Sequence, residues 1–170
     1  MNDEIVKKQF LTLIKDNKGI ILKICNSYCP NKNDREDLAQ EIIYHLWKSG
    51  HTFNADHKFS TWMYRVALNV AISFYRKGKK PGPVISMGEH LIDVEDKDEG
   101  NNEAEKNNTL LLQFINELKE LDRALIILYL ENKSYDEISE ILGITESNVG
   151  TKINRIKEKL KQKFLIYNKF

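Results

Sequence analysis

SYDEISEILGITESNVGTKINRIKEKLKQKF, from Ser134 to Phe164, holds two helical patterns joined at Gly143. Ser134 and Glu137 have capping-box spacing, in which the hydroxyl accepts from a first-turn N–H and the carboxylate reaches back to the cap. Tyr135, Ile138, Ile141 and Leu142 then fall on one side of a short helix. Gly143 suits the left-handed conformation that ends such a helix, and Ile144 supplies an apolar plug in the turn. Thr145 is placed to cap a second helix with the apolar stripe Val149, Ile153, Ile156, Leu160 and Phe164. Its opposite side carries Thr151, Lys152, Arg155 and Lys159. Two helices, a glycine turn and a basic second helix are the parts of a helix-turn-helix DNA reader. An ordinary αα-hairpin inside a helical bundle uses the same turn chemistry and stands as the plain alternative.

Working outward, 170 residues with three prolines suit one or two mostly helical domains. There is no apolar run of the roughly 18 residues that a membrane span needs. The opening MNDEIVKKQFLTLIKDN mixes charge with apolar residues and lacks a signal-peptide core, so a cytoplasmic location is expected. Cys25 and Cys29 stand on one expected helix with no further ligands at zinc-like spacing; buried thiols are the expectation, not a disulfide or a metal site.

The net charge of +1 conceals a division. His57 to Lys80 holds six basic residues and no acid, whereas Glu89 to Lys106 holds eight acids against two lysines. From Thr145 onward seven basic residues face Glu146 and Glu158. Two basic blocks flanking an acidic one provide two candidate phosphate-binding surfaces, each beside a helix with other recognition features.

The N-terminal half reads as four helices that could form one bundle. The first spans about Glu4 to Asp16, with Ile5, Phe10, Leu11 and Ile14 as expected core contacts; the second spans about Gly19 to Tyr28 and stops at Pro30. Asn33 and Glu36 repeat the capping-box spacing before a third helix, Asp34 to Lys48. It is expected to bury Leu38, Ile42 and His45 or Leu46, and to show Asp37, Gln40, Glu41 and Tyr44. A polar loop, Gly50 to Lys58, leads to a fourth helix capped by Ser60 and running through Arg76. From Gly78 the sequence GKKPGPV and an acidic, Asn-rich stretch to about Asn108 read as a linker. Leu110–Leu118 and Ala124–Leu130, with Asp122 as an available cap, lead into the helix-turn-helix. The expected fold is all-α: two small helical domains, 1–80 and 109–170, joined by an acidic linker, 81–108.

Three stretches in order carry a resemblance. DREDLAQEIIYHLWKS (Asp34–Ser49) resembles the polymerase-binding helix of bacterial RNA polymerase sigma factors. FNADHKFSTWMYRVALNVAISFYRK (Phe53–Lys77) resembles their promoter-melting segment, and Ser134–Leu160 their C-terminal promoter-reading motif. Two domains on a short linker match the extracytoplasmic-function (ECF) subgroup. The resemblance implies docking of Asp34, Asp37, Gln40 and Glu41 on the clamp helices of the polymerase β′ subunit, a further contact with the β subunit, and promoter DNA as ligand. Phe53, Asn54, Asp56, His57, Lys58, Phe59 and Ser60 correspond to the loop that captures a flipped base of the −10 element, with Asn69 helping to line the pocket. Trp62 is expected in the core, while Tyr64 and Arg65 are open between core and site. Asn148, Thr151, Lys152 and Arg155 match positions that meet the −35 element. Gly150 departs from the Lys or Arg that many members carry there. The linker either occupies a basic channel of the polymerase, with Val84 to Ile92 anchoring its entry, or is a solvated spacer. An anti-sigma factor, a monomeric unbound state, no metal or cofactor, and no catalysis by this chain complete the expectation. A stand-alone helix-turn-helix regulator is the alternative, and it would not require Asp34–Lys77. An RNA-processing or nuclease enzyme would need metal-binding carboxylates on a rigid scaffold, and those of the linker are not so placed.

Overall fold

The computed structural model describes residues 3–78 and 102–169. All regular elements among them are helical: α1 (Asp3–Asp16), α2 (Lys18–Tyr28), α3 (Lys32–Ser49), a 3-10 turn (Gly50–Thr52), α4 (Phe59–Lys77), α5 (Asn102–Asn116), α6 (Glu120–Leu130), α7 (Tyr135–Leu142) and α8 (Glu146–Tyr167). The chain divides into two compact units, Met1–Lys79 and Lys80–Phe170. Most of the expected linker, with Val84 to Ile92 and the acids from Glu89 to Glu99, lies outside the described residues. Its last part does not: Asn102 to Asn108 begin α5. Asn-rich sequence reads as loop, but Glu103 and Glu105 in the first turn favour the positive end of the helix dipole.

In the first unit α2, α3 and α4 meet around Ile24, Leu38, Ile42, Leu46, Met63 and Leu68, all buried. On α3 the interior residues recur at intervals of four (Leu38, Ile42, Leu46), so one line of side chains enters the core. Tyr64 is buried with Met63, Ala67 and Ala71 on α4, while Arg65 is exposed. Trp62, expected in the core, is only half-buried. Leu11 departs from expectation with 50% exposure. It lies a third of a turn from Phe10, and α1 packs along a narrow line through Phe10 and Ile14.

Three expected caps fall elsewhere. Asn31, not Asn33, caps α3: its Oδ1 accepts from the Asp34 N–H at 2.8 Å, and its amide donates to the Asp34 carboxylate at 2.5 Å. Two asparagines two residues apart offer alternative starts, and the earlier one extends the helix to Lys32. Ser60 lies inside α4, whose cap position is Lys58 with no side-chain bond. Asp122 lies in the first turn of α6 behind Lys119, where its charge serves the helix dipole.

The second unit buries Leu125 and Leu128 of α6, Ile138 and Ile141 of α7, and Val149, Ile153, Ile156 and Leu160 of α8. Phe164 is half-buried and meets Phe114 edge-on at 5.1 Å. Arg123 is the buried charge here: its guanidinium donates to the carbonyls of Asn116 and Leu118 at 2.5 and 3.1 Å, tying the α5–α6 turn. Cys25 and Cys29 are buried thiols, and burial pushes Cys25 up to about 11, against a smaller opposing effect of Arg35. At neutral pH that thiol is protonated and a poor nucleophile. No helix among the described residues is long and apolar enough to cross a membrane.

The α7–α8 junction follows the sequence closely. Ser134 Oγ accepts from the Glu137 N–H at 3.1 Å, and the Glu137 carboxylate accepts from the Ser134 N–H at 3.0 Å. Gly143 sits at φ 67°, ψ 34° and donates to the Ser139 carbonyl. Ser139 Oγ donates to the Ile144 carbonyl at 2.7 Å, and Thr145 Oγ1 accepts from the Asn148 N–H at 3.2 Å. Ser134→Ala removes one half of the reciprocal cap and is expected to lower stability by about 1 kcal/mol in urea unfolding; an unchanged midpoint would show that the cap contributes nothing.

Candidate functional site

Three exposed surfaces are built from these helices. On α3 the buried line of Leu38, Ile42 and Leu46 turns Asp37, Gln40 and Glu41 toward the surface, and all three are exposed. Asp34 is half-buried and held by Asn31, so it belongs as much to the helix start as to this face. The same helix exposes Ile43, Tyr44 and Trp47, at 45, 58 and 44%. Helical spacing sets Gln40, Ile43, Tyr44 and Trp47 beside one another, so the acidic surface continues into an apolar one. Ile43 and Trp47 were not singled out from sequence, where an apolar residue in a helix reads as core.

The second surface is the loop before α4 and the outer row of α4 itself. Asn54, Asp56, His57 and Lys58 are exposed, with Asn54 Oδ1 accepting from the Asp56 N–H at 3.1 Å. Phe53 and Phe59, at the two ends of the loop, meet edge-on at 5.2 Å. Both also meet Trp62, at 5.6 and 5.5 Å, and Trp62 donates through Nε1 to Thr52 Oγ1 at 3.2 Å. Phe10 of α1 joins the cluster at 5.7 Å from Trp62 and 5.9 Å from Phe59. Aromatic pairs of this kind contribute about 0.5–1.5 kcal/mol each beyond their burial. Phe53 and Phe59 therefore have a holding role whatever else they touch. Ser60 is half-buried just behind them. Asn69 is exposed ten residues along α4 from Phe59, a rise of about 15 Å. It shares an outer row with Arg65, Ser73 and Arg76, all exposed.

The third surface is α8. Asn148, Thr151 and Arg155 are exposed and Lys152 half-buried, on positions three and four apart and turned away from the Val149–Ile153–Ile156–Leu160 stripe. Gly150 lies between these rows. A Cβ there would stand 3.3 Å from Cε2 of Tyr135, so the ring at the start of α7 packs on the glycine. The absent side chain thus has an internal reason, apart from any approach to a ligand. A further face of α8 borders a groove of about 620 Å3 lined by Leu111, Ile126, Leu130 and Leu160 together with Lys157 and Lys161. Lys157 Nζ reaches the Tyr129 hydroxyl at 3.2 Å. Sequence reasoning did not find this groove, because its lining comes from α5, α6 and α8. No cluster of His, Cys, Asp and Glu that could hold a metal ion occurs among the described residues.

Residues 13–80 match Sigma-70 region 2, and residues 109–160 match Sigma-70, region 4. The ECF RNA polymerase sigma factor SigW of Bacillus subtilis is 30% identical over 165 residues, covering 90% of this chain and 87% of that protein. The ECF RNA polymerase sigma-E factor of Haemophilus influenzae is 26% identical over 167 residues, covering 92% and 88%. The fold is also like that of the Bartonella quintana sigma factor RpoE, solved in complex with the anti-sigma factor NepR, with a TM-score of 0.65 over 94% of this chain and 96% of that one at 18% identity. The chain belongs to the ECF RNA polymerase sigma factors. It is a transcription initiation factor and not an enzyme.

The Gly150–Tyr135 contact yields a double-mutant test. Gly150→Ala should gain less than the roughly 1 kcal/mol that helix propensity offers, because the ring must move. In a Tyr135→Ala background the same change should give the full gain, a coupling of about 0.5–1 kcal/mol in denaturant unfolding. Additive effects would show that the ring does not constrain residue 150.

Proposed function

We propose that this sigma factor divides its work among the three surfaces and the groove of the second unit, in the cytoplasm where its polymerase and template are found. Core polymerase docks on α3. Asp37, Gln40 and Glu41 suit a basic partner and set encounter and register, while Ile43, Tyr44 and Trp47 supply the apolar contact that charges at a rim do not. The partner element we assign is the clamp-helix pair of β′. The groove of the second unit, apolar with Lys157 and Lys161 beside it and Glu158 between them, fits a helix that presents an apolar ridge with a mixed polar flank, and is assigned to the β subunit.

Promoter contacts fall to the other surfaces. An extruded −10 base would stack and hydrogen-bond at Asn54, Asp56, His57 and Lys58, over a base made by Phe53 and Phe59 with Ser60 behind. Extrusion costs a few kcal/mol of stacking, which such a pocket must offset. The opened strand would then run along Arg65, Asn69 and Arg76, with the two arginine guanidiniums neutralising phosphates. On α8, Lys152 and Arg155 would hold backbone or guanine edges of the −35 element, with Asn148 and Thr151 beside them. Chemistry remains with the polymerase. The observation that carries this reading is the presence of both matched regions on one chain, each with its own exposed polar face. A stand-alone regulator would have no use for the face on α3.

Two variants separate the surfaces. Asp37→Lys with Trp47→Ala should weaken binding to purified core polymerase at least about tenfold, since a buried aromatic anchor is commonly worth 2 kcal/mol or more. Lys152→Ala with Arg155→Ala should leave core affinity intact and weaken promoter binding. Its salt dependence should flatten by about 0.9 in log–log slope for each phosphate left without its cation. Wild-type core affinity in the first variant removes the docking assignment; an unchanged salt slope in the second removes the −35 assignment.

A further inference from the structure

The aromatic cluster beneath the −10 loop has one member from outside the loop and α4 that reaches both: Phe10. Its helix, α1, begins ahead of the region 2 match, which starts at residue 13, and Phe10 itself lies before that match. Val6, Leu11 and Leu13 of α1 are exposed, so Phe10 and Ile14 make its packing side. Phe10 meets Trp47 at 6.3 Å, Phe59 at 5.9 Å and Trp62 at 5.7 Å. It also lies directly on Gly50, where a Cβ would stand 2.9 Å from both Cε1 and Cζ of the ring. Gly50 opens the 3-10 turn, and the Phe53 N–H donates to the Gly50 carbonyl at 3.2 Å. The ring therefore touches the segment that enters the loop, through Gly50, and the segment that leaves it, through Phe59 and Trp62.

Between those fixed ends the loop is polar and exposed, with an Asn54-based turn inside it. A loop of this kind holds its shape through its ends. The geometry points to Phe10 as a positioning residue for −10 recognition: seated on Gly50 and wedged against Phe59 and Trp62, it sets the spacing of the loop ends and so the shape of the base pocket. Gly50 is the matching half, since any larger residue displaces the ring. This rests on the reading that the loop at Asn54–Lys58 contacts the −10 element. Phe10 itself touches no DNA in it.

The test uses the full chain with purified core polymerase at saturating concentration for each variant. Melting rates are measured on promoter fragments carrying each of the four bases in turn at every −10 position, and the readout is the ratio between best and worst base. Positioning predicts that Phe10→Ala and Gly50→Ala each reduce that ratio about fivefold, within the range one base contact supplies. Combining them should reduce it no further than Phe10→Ala alone, because the ring that a Cβ would meet is gone. Phe10→Leu, which keeps apolar bulk, should retain folding while losing part of the ratio. If Phe10→Ala fails to fold, Gly50→Ala and Phe10→Leu decide the matter by the same ratio. A uniform slowing on all bases, a wild-type ratio, or additive reductions overturn the inference. Asn54→Ala with His57→Ala is measured alongside. If that variant keeps the full ratio, the assignment of the loop to the −10 element falls and this inference with it; if its ratio drops while that of the Phe10 and Gly50 variants does not, only the positioning role falls.

Discussion

Each working surface is fixed by what its helix must bury. On α8, Val149, Ile153, Ile156 and Leu160 are interior. With 3.6 residues to the turn, that stripe leaves Asn148, Thr151 and Arg155 no place but the outside. The same constraint acts on α3, where Leu38, Ile42 and Leu46 inside turn Asp37, Gln40, Glu41 and Trp47 outward. On α4 the buried set of Met63, Tyr64, Ala67, Leu68 and Ala71 leaves Arg65, Asn69 and Arg76 in a row. The candidate recognition residues thus stand mostly on helices, an arrangement that would suit the proposed contact with two stretches of promoter held in register. The loop before α4 is the exception, and it is held at both ends by aromatic rings.

The local features were legible in the sequence because their physics is local. The capping box at Ser134 and Glu137, the left-handed Gly143 and the Thr145 cap involve residues within a few positions of one another, and each type has few alternatives there. The periodic stripes of α3 and α8 were readable for the same reason. Caps failed where equivalent residues competed, as with Asn31 and Asn33, or where the helix began on a residue that cannot cap, as at Lys58 and Lys119. Trp62 and Tyr64 show the limit of pattern: the larger ring is half-buried beside Thr52, and the tyrosine is the interior one.

Features assembled from distant segments could not be read. Nothing in the spacing of Phe10, Gly50, Phe53 and Phe59 says that they meet, and the groove lined by Leu111, Ile126 and Leu160 needs three helices packed. Exposed Ile43 and Trp47 were hidden by their type. The Gly150–Tyr135 contact is instructive because a glycine in a recognition helix invites an explanation in terms of DNA, whereas the structure supplies one within the protein.

Reconstituted transcription tests the central claim most directly. Purified chain and purified core polymerase are incubated with genomic promoter fragments, and RNA 5′ ends are mapped. The account predicts starts that depend on this chain, at a fixed distance downstream of paired −35 and −10 elements, and that disappear when either element is scrambled. Tight binding to DNA without core polymerase, together with no chain-dependent RNA on any fragment, would contradict it.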